Sequence, residues 1–399
     1  MSTATFDHTR TTARLPPVYV AGTARLLAGE SGQPPSRDRG WLVEASRSVA
    51  LLGRGGAAFP VSAKLAAVGR GAEILVNGSE GEPASWKDRV LMRTRPGLVL
   101  DGALVVAGAL SSRRVTLAVA DEVSAAALQE AIRERGAADR VSVVAADHGF
   151  VGGEVQALVN GLNGRAAVPN GRRVLPSDRG VGGRPTFASN VETFAQLALL
   201  AALGPERYAR VGTTSEPGTT LVTVHRPDRG TSVVEVPHGT PLSDLIDGVG
   251  PVLVGGYHGT WTSAGGLTVD RPALRAAGIG WGAGVVATLP QTTCPVGEIA
   301  RVAQWLAAES AGQCGPCVFG LASIAEDLVA LVSGQRVDTG RLRRRLGLVA
   351  GRGACSHPDG TVRFVATALD AYADDLARHE HGVGCGRPVL GTLPLGGTR

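Results

Sequence analysis

The chain has 399 residues, of which 44% are hydrophobic and 19% charged, so it can form more than one buried core and is not a disordered protein. Its formal net charge is +5, and only two of its 40 lysine and arginine residues are lysines. The arginines are scattered, without a basic stripe interleaved with aromatic side chains, which argues against a nucleic-acid-binding protein.

The first 45 residues show little periodicity, and we expect an N-terminal arm over 1–45. This segment lacks the apolar core of a secretion signal. The longest apolar runs, at 98–110 and 194–204, are too interrupted or too short to span a bilayer. These features predict a cytoplasmic protein without a membrane span, in which cysteines stay reduced.

Strands and helices alternate after the arm. We predict strands at 72–77, 115–120 and 141–146 and a helix at 124–135. A strand, a helix and a strand at this spacing are typical of a βαβ unit, whose strands run parallel. The sequence therefore predicts an α/β domain with a parallel sheet over 46–215.

A change of pattern follows residue 215. Short β-rich runs surround the turn signal PDRG, and a helical turn and another strand-like run follow them. This order predicts a small α+β domain over 216–290 that resembles a β-grasp fold.

The C-terminal part has helical periodicity. Apolar residues recur at i, i+3, i+4 and i+7 in stripes that begin at Ile299, Leu321, Leu342 and Val362. Four amphipathic helices with short connections predict an antiparallel four-helix bundle over 291–385, with a tail over 386–399.

Three glycine-rich segments are candidates for a ligand-binding site. They are GRGGAAFP (53–60), VNGSEGEPASWKD (76–88) and GFVGGEVQALVNG (149–161). Glycine lets the backbone approach a phosphate or a flat ring, and α/β folds bind ligands in loops at the carboxyl ends of their strands. The two lysines, Lys64 and Lys87, lie in or near the first two segments, although both could be ordinary surface residues.

Three of the five cysteines are candidates for a metal site. Cys314 and Cys317 lie between the first and second predicted helices and Cys355 between the third and fourth, so an up-down-up-down bundle brings them to one end. Cysteine thiolates favour an iron–sulfur cluster. Zinc with His357 as fourth ligand and simple burial of small thiols are the alternatives.

The other two cysteines are expected elsewhere. Cys294 precedes the first predicted helix and Cys385 follows the fourth, so both should lie at the opposite end of the bundle, nearer to each other than to Cys314. A helix over 296–309 spans roughly 20 Å, which is beyond the reach of a shared metal. We interpret Cys294 and Cys385 as buried small residues. The histidines contain no H-x-x-x-H pair that would indicate a metal site.

These segments together resemble the FMN- and NADH-binding subunit of respiratory complex I and the diaphorase subunits of NAD-linked hydrogenases and formate dehydrogenases. The resemblance runs from about residue 50 to 380 and rests on GRGGAAFP, VNGSEGEP with KDR, GGE, GRPTFASNVET, the β-grasp-like insert and ESAGQCGPC. It implies an α/β nucleotide-binding domain, a soluble-ligand-binding β-grasp (SLBB-like) domain and a four-helix bundle that holds a 4Fe–4S cluster.

The resemblance implies FMN as cofactor, with NAD(H) as a possible second ligand. The implied cofactor-binding residues are Gly53, Arg54, Gly55, Gly56, Phe59, Lys64, Asn77, Ser79, Glu80, Glu82, Phe150, Gly153, Glu154, Asn190 and Thr193. Two of them depart from the family pattern, since Phe150 replaces a tyrosine and Ser79 an aspartate. No acid–base residue is expected to be catalytic, because hydride transfer between stacked rings needs none.

Two parts of the family pattern are eroded. Of three phenylalanines that hold adenine, Phe59 is kept, and Ala67 and Leu175 stand at the other two positions. Val155 and Arg172 replace a glutamate and a lysine nearby. The implied metal ligands are Cys314, Cys317 and Cys355, while Ala311 stands in place of the fourth cysteine. We therefore expect a 3Fe–4S cluster, a 4Fe–4S cluster with a non-cysteine fourth ligand such as His357 or Ser310, or no stable cluster.

The leading hypothesis is a flavo-iron–sulfur oxidoreductase subunit of NADH dehydrogenase type. It would pass electrons from NADH, or a similar donor, through FMN to an iron–sulfur acceptor. Its expected partner is an iron–sulfur electron-transfer protein, either ferredoxin-like or a thioredoxin-fold 2Fe–2S subunit, and no nucleic acid. The alternatives are a ferredoxin-linked flavoprotein that does not use NADH and a non-enzymatic docking scaffold with the family fold.

Overall fold

The computed structural model describes residues 14–29, 32–147, 149–171, 174–248 and 250–396. Within these ranges the strands are β1 (Val18–Val20), β2 (Glu73–Gly78), β3 (Val115–Val119), β4 (Val141–Ala145), β5 (Thr186–Asn190), β6 (Thr219–Arg226), β7 (Gly230–Pro237), β8 (Val252–Val254), β9 (Thr260–Thr262) and β10 (Val285–Thr288). The helices are α1 (Arg39–Ser48), α2 (Val61–Ala67), α3 (Lys87–Thr94), α4 (Pro96–Leu110), α5 (Glu122–Glu134), α6 (Val155–Leu162), α7 (Val191–Tyr208), α8 (Arg271–Ala276), α9 (Pro295–Ala308), α10 (Ala322–Val332), α11 (Thr339–Val349), α12 (His357–Ala371) and α13 (Ala373–Glu380).

The first sheet has four strands in the order β4-β3-β2-β5, and each neighbouring pair runs parallel. The predicted α/β fold with a parallel sheet is therefore confirmed. Strand β5 was not predicted, because its short sequence TFASN carries little apolar alternation. It forms through pairing with β2, where Phe187 lies opposite Ile74.

Two long apolar helices cover one face of this sheet. Helices α4 and α7 cross at Gly102, where an added Cβ would lie 1.8 Å from the carbonyl oxygen of Phe194. Only glycine permits so close a contact between two helix backbones. The contact fixes α7, whose N-terminus begins at the ligand-facing end of β5.

The second sheet has six strands in the order β1-β7-β6-β10-β8-β9. Strands β6 and β7 form an antiparallel hairpin around the predicted turn, while β10 pairs parallel to β6. Its inner side chains form a separate core with Val222, Val236, Val252 and Trp281.

The N-terminal segment contributes to this second sheet. Val18–Val20 forms an edge strand parallel to β7. The carboxylate of Glu235 accepts backbone hydrogen bonds from Arg25, Leu26 and Leu27 at 2.8 to 2.9 Å. Tertiary contacts, not local periodicity, therefore order residues 18–27 of the expected arm; residues 1–13 lie outside the described residues.

Helices occupy all four of the predicted apolar stripes after residue 295, and α13 follows them directly. Ile299, Leu328, Leu342 and Phe364, one from each of α9 to α12, belong to a common hydrophobic core. The residues after α13 run back along α9, where the indole nitrogen of Trp305 donates to the carbonyl of Gly396 at 3.1 Å. Among the described residues, no helix is both long and apolar enough to cross a membrane.

Candidate functional site

A cleft opens at the carboxyl ends of β2 and β5, between the first sheet, the second sheet and the start of α12. It contains two adjoining cavities of about 310 and 580 Å³, and Gly55, Asn77, Glu154 and Asn190 line both of them. This is the position in which α/β folds bind ligands. Every cofactor-binding residue predicted from the sequence lines one cavity or both, except Thr193.

The glycine loop between α1 and α2 forms one wall of the cleft. Its ends are joined by a hydrogen bond from the backbone N–H of Gly53 to the carbonyl of Phe59 at 2.9 Å. Gly55 and Gly56 have no left-handed φ, and an added Cβ would find its nearest heavy atom at 3.9 or 4.0 Å. Neither conformation nor packing therefore requires glycine there. A side chain would instead take up space in the cleft, so these glycines fit the close approach of a ligand.

Arg54 anchors this loop from behind. Its backbone N–H donates to the hydroxyl of Thr193 at 2.9 Å, which explains why Thr193 lies outside the cavities. Its buried guanidinium pairs with Glu216 at 2.8 Å. Burial opposes the charge on Arg54, but Glu216, Tyr208 and Glu192 together outweigh it and raise the pKa of Arg54. The ion pair ties the loop to the segment that enters the second sheet.

The second glycine-rich loop leaves the end of β2 and is fixed by Asn77. The side-chain amide of Asn77 donates to the carbonyl of Gly153 at 2.8 Å, and its oxygen accepts from the hydroxyl of Ser79 at 2.7 Å. An added Cβ at Gly153 would lie 3.1 Å from that hydroxyl oxygen. Asn77 therefore holds the second and third glycine-rich segments against each other.

Glu80 holds the same loop on α3 in a strained conformation, with φ of 40°. Its carboxylate accepts hydrogen bonds from the backbone N–H of Asp88 at 2.9 Å and from the side chain of Arg89 at 2.9 Å. Burial disfavours the carboxylate, but the charge of Arg89 lowers the pKa of Glu80. Strain of this kind persists only where surrounding contacts enforce it and is concentrated at functional sites.

A group of buried charges lies at the floor of the cleft. The ammonium of Lys87 is 2.8 Å from Asp88 and 3.3 Å from Glu192. Burial opposes the charge of Lys87, but these carboxylates raise its pKa. Burial and repulsion from Glu80, opposed by Lys87, raise the pKa of Asp88 to about 7. Asp88 lines the cavity and was not predicted as a site residue, although it stands in the KDR segment that carried the resemblance.

Lys64 reaches the other cavity from α2. Its ammonium donates to the carbonyl of Ala188 at 3.2 Å, and burial lowers its pKa. A buried ammonium held by a carbonyl gains much from a bound anion, because the desolvated charge is then compensated. This position fits a ligand with a negatively charged group.

Glu154 lies within the third glycine-rich segment, directly before α6. Its carboxylate caps the helix by accepting the backbone N–H groups of Gln156 at 2.8 Å and Ala157 at 3.1 Å. Burial raises its pKa despite these hydrogen bonds. Glu82, on the opposite side, accepts the backbone N–H of Tyr257 at 2.9 Å and joins the first sheet's loops to the second sheet.

Phe150, His258 and His357 line the side of the cleft to which Cys355 also contributes. The edge of Phe150 packs against the ring of His258 with centroids 4.6 Å apart. Nε2 of His258 lies 3.0 Å from Nδ1 of His357, whose Nε2 lies 2.9 Å from the carbonyl of Leu306. Because a carbonyl can only accept, Nε2 of His357 is the donor and Nδ1 accepts from His258. Both nitrogens of His357 are engaged, so it is not free to serve as the zinc ligand considered from the sequence.

Burial keeps both of these rings neutral. It lowers the pKa of His357 to about 4, and it lowers the pKa of His258 well below the usual value. His258 is contributed by the second sheet's connections and His357 by α12, 99 residues later. No local motif connects them, and sequence reasoning therefore did not find the pair.

The three predicted metal ligands are brought together at the start of α10 and α12. Cys317 lies in a π-helical turn, Pro316–Leu321, a distortion that often marks a functional site. Burial, the neighbouring Cys314 and then Cys355 raise the pKa of Cys317 to about 12. Burial opposes the thiolate of Cys314, but the backbone N–H of Ala354 and the contact with Cys317 lower its pKa.

Ala311 stands where the resemblance implies a fourth cysteine. Its backbone N–H is directed at the sulfur of Cys317. A side chain at this position therefore stands next to Cys314, Cys317 and Cys355, which we call the cysteine group. Cys355 also lines the cleft, together with Gly55 and Asn77. The cysteine group and the cleft therefore share one wall.

Of the three positions expected to hold adenine, only Phe59 lines the cleft, whereas Ala67 and Leu175 line neither of its two cavities. Phe59 lines the larger cavity and is 51% exposed. Ala67 and Leu175 are also exposed, the latter at 54%, and neither supplies an aromatic face. Arg172 lies outside the described residues.

Family models match both the part of the chain that contains the glycine-rich loops and the part that contains the cysteine group. The Nuo51 FMN-binding domain matches residues 46–199, and the NADH-ubiquinone oxidoreductase-F iron–sulfur binding region matches residues 298–379. Together they cover more than half of the chain. The chain belongs to the family of FMN-binding subunits of complex I, as a divergent member.

Relatives and solved structures agree with this membership. The chain is 27% identical to the F subunit of NADH-quinone oxidoreductase from Streptomyces coelicolor over 86% of its length and 84% of the relative's. It is 28% identical to the same subunit of Mycobacterium tuberculosis over 84% of its length and 83% of the relative's. The fold matches a chain of an NAD+-reducing [NiFe]-hydrogenase in the air-oxidized state with a TM-score of 0.81 and 23% identity, covering 98% of this chain and 74% of the other.

The residues of the site fit the cofactors of this family. Gly55 and Gly56 leave space that the protein's own packing does not use, and Lys64 supplies a buried cation beside it. These features fit a flavin mononucleotide. Cys314, Cys317 and Cys355 supply three thiolates with backbone N–H groups directed at them, which fits an iron–sulfur cluster with three cysteine ligands.

Proposed function

We propose that this chain is the flavin-binding subunit of an NADH:acceptor oxidoreductase and passes electrons from the cleft to the iron–sulfur site. The observation that carries this proposal is that Cys355 lines the same cavity as Gly55, Asn77 and Glu154. A cofactor in the cleft and a cluster on these cysteines would then lie close to each other, because a ligand of the cluster would itself line the cofactor cavity. Such proximity is what electron transfer between them requires.

FMN, when bound, accepts a hydride from a nicotinamide and releases electrons one at a time. The chain's residues provide the binding and the electrostatics. Gly55 and Gly56 admit the flat ring, and Lys64 compensates negative charge on the bound group. Asn77 holds the second and third glycine-rich segments against each other beside the ring. Asp88 lies on the cavity wall with a raised pKa, close to neutrality, and holds a proton there at lower pH.

The cluster would be held by Cys314, Cys317 and Cys355. Backbone N–H groups of Ala354, Ala311 and His357 point at their respective sulfurs and stabilise thiolates. Ala311 cannot ligate, and His357 has both ring nitrogens engaged. The fourth position of the cluster is therefore left to a non-cysteine ligand or to no ligand, as in a 3Fe–4S cluster.

The finer architecture follows the same family pattern in our proposal. Residues 46–215 form the FMN-binding α/β domain, preceded by the arm over 1–45. Residues 216–290 form an SLBB-like β-grasp domain, which the β6–β7 hairpin and the parallel pairing of β6 with β10 support. Residues 291–385 form the four-helix iron–sulfur bundle, supported by the common core of α9 to α12, and 386–399 form the tail.

The partner that we propose is an iron–sulfur electron-transfer protein, ferredoxin-like or a thioredoxin-fold 2Fe–2S subunit. The cysteine group supports this choice, because Phe319 beside it is 73% exposed and Val318 is 46% exposed. Exposed apolar side chains near a cluster suit the docking of a second redox protein. The cytoplasmic location expected from the sequence stays a prediction.

A ferredoxin-linked flavoprotein is the second candidate function. It is favoured by Ala67 and Leu175, which stand at exposed positions where the family stacks adenine on aromatic rings. Gly55, Gly56 and Lys64, which line the other part of the cleft, are all retained. Electrons could then reach the flavin from a reduced iron–sulfur protein without a nicotinamide.

The deciding experiment is reduction of the anaerobically purified protein by NADH and, separately, by a reduced ferredoxin, followed by its visible spectrum. Bleaching of the flavin by NADH supports the proposal, whereas bleaching by ferredoxin alone supports the second candidate. Lys64→Met should weaken FMN binding by about 1.5–3 kcal/mol, the range for a charge-assisted hydrogen bond. A colourless protein that takes up no FMN on titration would exclude both.

A further inference from the structure

A second group of possible metal ligands lies at the opposite end of the C-terminal helices. Cys294, His379 and Cys385 each direct one ligand atom to a common point, and these atoms lie within 4.8 Å of one another. Cys294 caps the N-terminus of α9, His379 lies in the last turn of α13, and Cys385 follows α13. The sequence led us to expect the two cysteines near each other, and this is confirmed; their interpretation as merely buried small residues left out the histidine.

From this geometry we propose that Cys294, His379 and Cys385 bind a zinc ion that is separate from the iron–sulfur site. Zinc takes thiolate sulfur at about 2.3 Å and imidazole nitrogen at about 2.0–2.1 Å, so a tetrahedral site places sulfur and nitrogen about 3.6 Å apart. The sulfur of Cys294 and Nε2 of His379 are already 3.3 Å apart. A small adjustment of side chains would seat the ion.

The tautomer of His379 suits this role. Its Nδ1 lies 3.3 Å from the carbonyl of Leu331, a group that can only accept, so Nδ1 carries the proton. Nε2 then keeps its lone pair and faces Cys294. A carbonyl that orients the second nitrogen of a metal-bound histidine is the usual outer contact of such a ligand.

The two sulfurs also have supporting contacts. The backbone N–H of Gly297 donates to the sulfur of Cys294 at 3.3 Å. The backbone N–H of Arg387 and the guanidinium of the same residue contact Cys385, and Asp375 pairs with that guanidinium. Thiolate ligands gain from N–H donors of this kind, which spread their negative charge.

The fourth coordination position would be filled by solvent. A cavity of about 720 Å³ is lined by Thr293 and Pro295, the chain neighbours of Cys294, and by Asp375 and Arg387, although none of the three ligands lines it. Zinc with three protein ligands keeps a water molecule in its fourth position. Iron–sulfur assembly is not suited to this place, because only two thiolates are present among the described residues at this end.

The ion would fasten the C-terminal tail to the start of α9. Residues after Cys385 continue along this helix, where the backbone N–H of Cys294 donates to the carbonyl of Pro388 at 2.8 Å. Glu298 accepts the backbone N–H of Gly391 at 2.6 Å. The tail reaches Trp305, whose indole packs against Phe150 at the wall of the cleft. A metal clamp would thus order a segment that borders the flavin site.

The test is metal analysis of the full chain, purified anaerobically with reduced thiols and without chelators. We expect about one zinc per chain in the parent protein. Cys385→Ser should bind zinc at least about tenfold more weakly, while Cys355→Ser, the matched control in the other cysteine group, should retain it. If Cys385→Ser does not fold, His379→Gln replaces it, and the readout is the charge-transfer absorption of Co²⁺ titrated into metal-free protein.

Three results would overturn the proposal. One is a metal-free, fully reduced parent protein that takes up neither zinc nor cobalt. Another is equal loss of zinc in Cys355→Ser, which would place the zinc at the other cysteines. The third is a disulfide between Cys294 and Cys385 in freshly prepared protein by mass spectrometry, which would make the group a redox pair.

Discussion

The imidazole of His258 donates to Nδ1 of His357 at 3.0 Å, and both rings line the same cavity as Cys355. The donor comes from the second sheet and the acceptor from α12, so this single hydrogen bond joins two parts of the chain across the site. His357 is buried and His258 is partly buried, and their lowered pKa values keep both rings neutral beside the cleft.

Replacing His258 with leucine tests the contribution of this contact. The variant leaves Nδ1 of His357 buried without a donor, and we expect a loss of about 1–3 kcal/mol in the free energy of unfolding. Urea denaturation measures the change. The exposed His381, replaced by leucine in the same way, is the control and should change stability little. Equal stability of both variants would show that this side of the cleft does not depend on this hydrogen bond.

Gly55→Ala tests whether the glycine loop is shaped for a ligand. The added methyl group meets no protein atom nearer than 3.9 Å, so we expect normal stability but a clear loss of FMN affinity. Gly69→Ala is the matched control, because it also has free space but lies outside both cavities. Fluorescence titration with FMN measures affinity. An alanine variant that binds FMN as tightly as the parent would contradict the role of Gly55.

Restoring the aromatic residues at Ala67 and Leu175 tests the use of NADH. Each stacking contact contributes roughly 0.5–1.5 kcal/mol, so the double phenylalanine variant should lower the apparent KM for NADH about tenfold. We expect the parent protein to oxidise NADH only weakly, with ferricyanide as acceptor. Rapid turnover of the parent at micromolar NADH would show that the two substitutions matter little.

Ala311→Cys tests the composition of the cluster. The new thiol would stand beside Cys317, at which the backbone N–H of residue 311 already points. A fourth thiolate should convert a three-cysteine cluster into one with complete cysteine ligation and change its EPR spectrum. Spectra of parent and variant that coincide would mean that position 311 does not face the cluster.

Glu216→Gln tests the buried ion pair behind the glycine loop. Burial opposes the carboxylate, but Arg271, His238 and Arg54 hold the pKa of Glu216 far below its usual value. Its contribution to stability is therefore fully present above the unfolded-state pKa of about 4.3 and is lost as the pH falls below it. We expect the variant to lose about 3–5 kcal/mol at pH 7 and the difference from the parent to shrink below pH ~4. A difference that is independent of pH would refute this assignment.

The sequence by itself determined the elements whose signals are local. The apolar runs of β2 and β3 and the stripes led by Ile299 and Leu342 have the periods of strands and helices, and the structure places those elements there. It also indicated the three glycine-rich segments as candidates for the cleft, and the resemblance to the family singled out Gly55, Asn77 and Glu154 within them, which the structure brings to one cavity.

Only the tertiary structure decided the contacts between distant segments. Strand β1 forms because β7 offers a parallel partner to Val18–Val20, which has no periodicity of its own, and the carboxylate of Glu235 holds the residues that follow at 25–27. The pairing of His258 with His357 and the approach of Cys294 to His379 and Cys385 join residues far apart in the chain. Such contacts depend on how the sheets and helices pack. Local residue patterns record the periodicity of each element but carry no information about which side chains that packing brings within hydrogen-bonding or metal-binding distance.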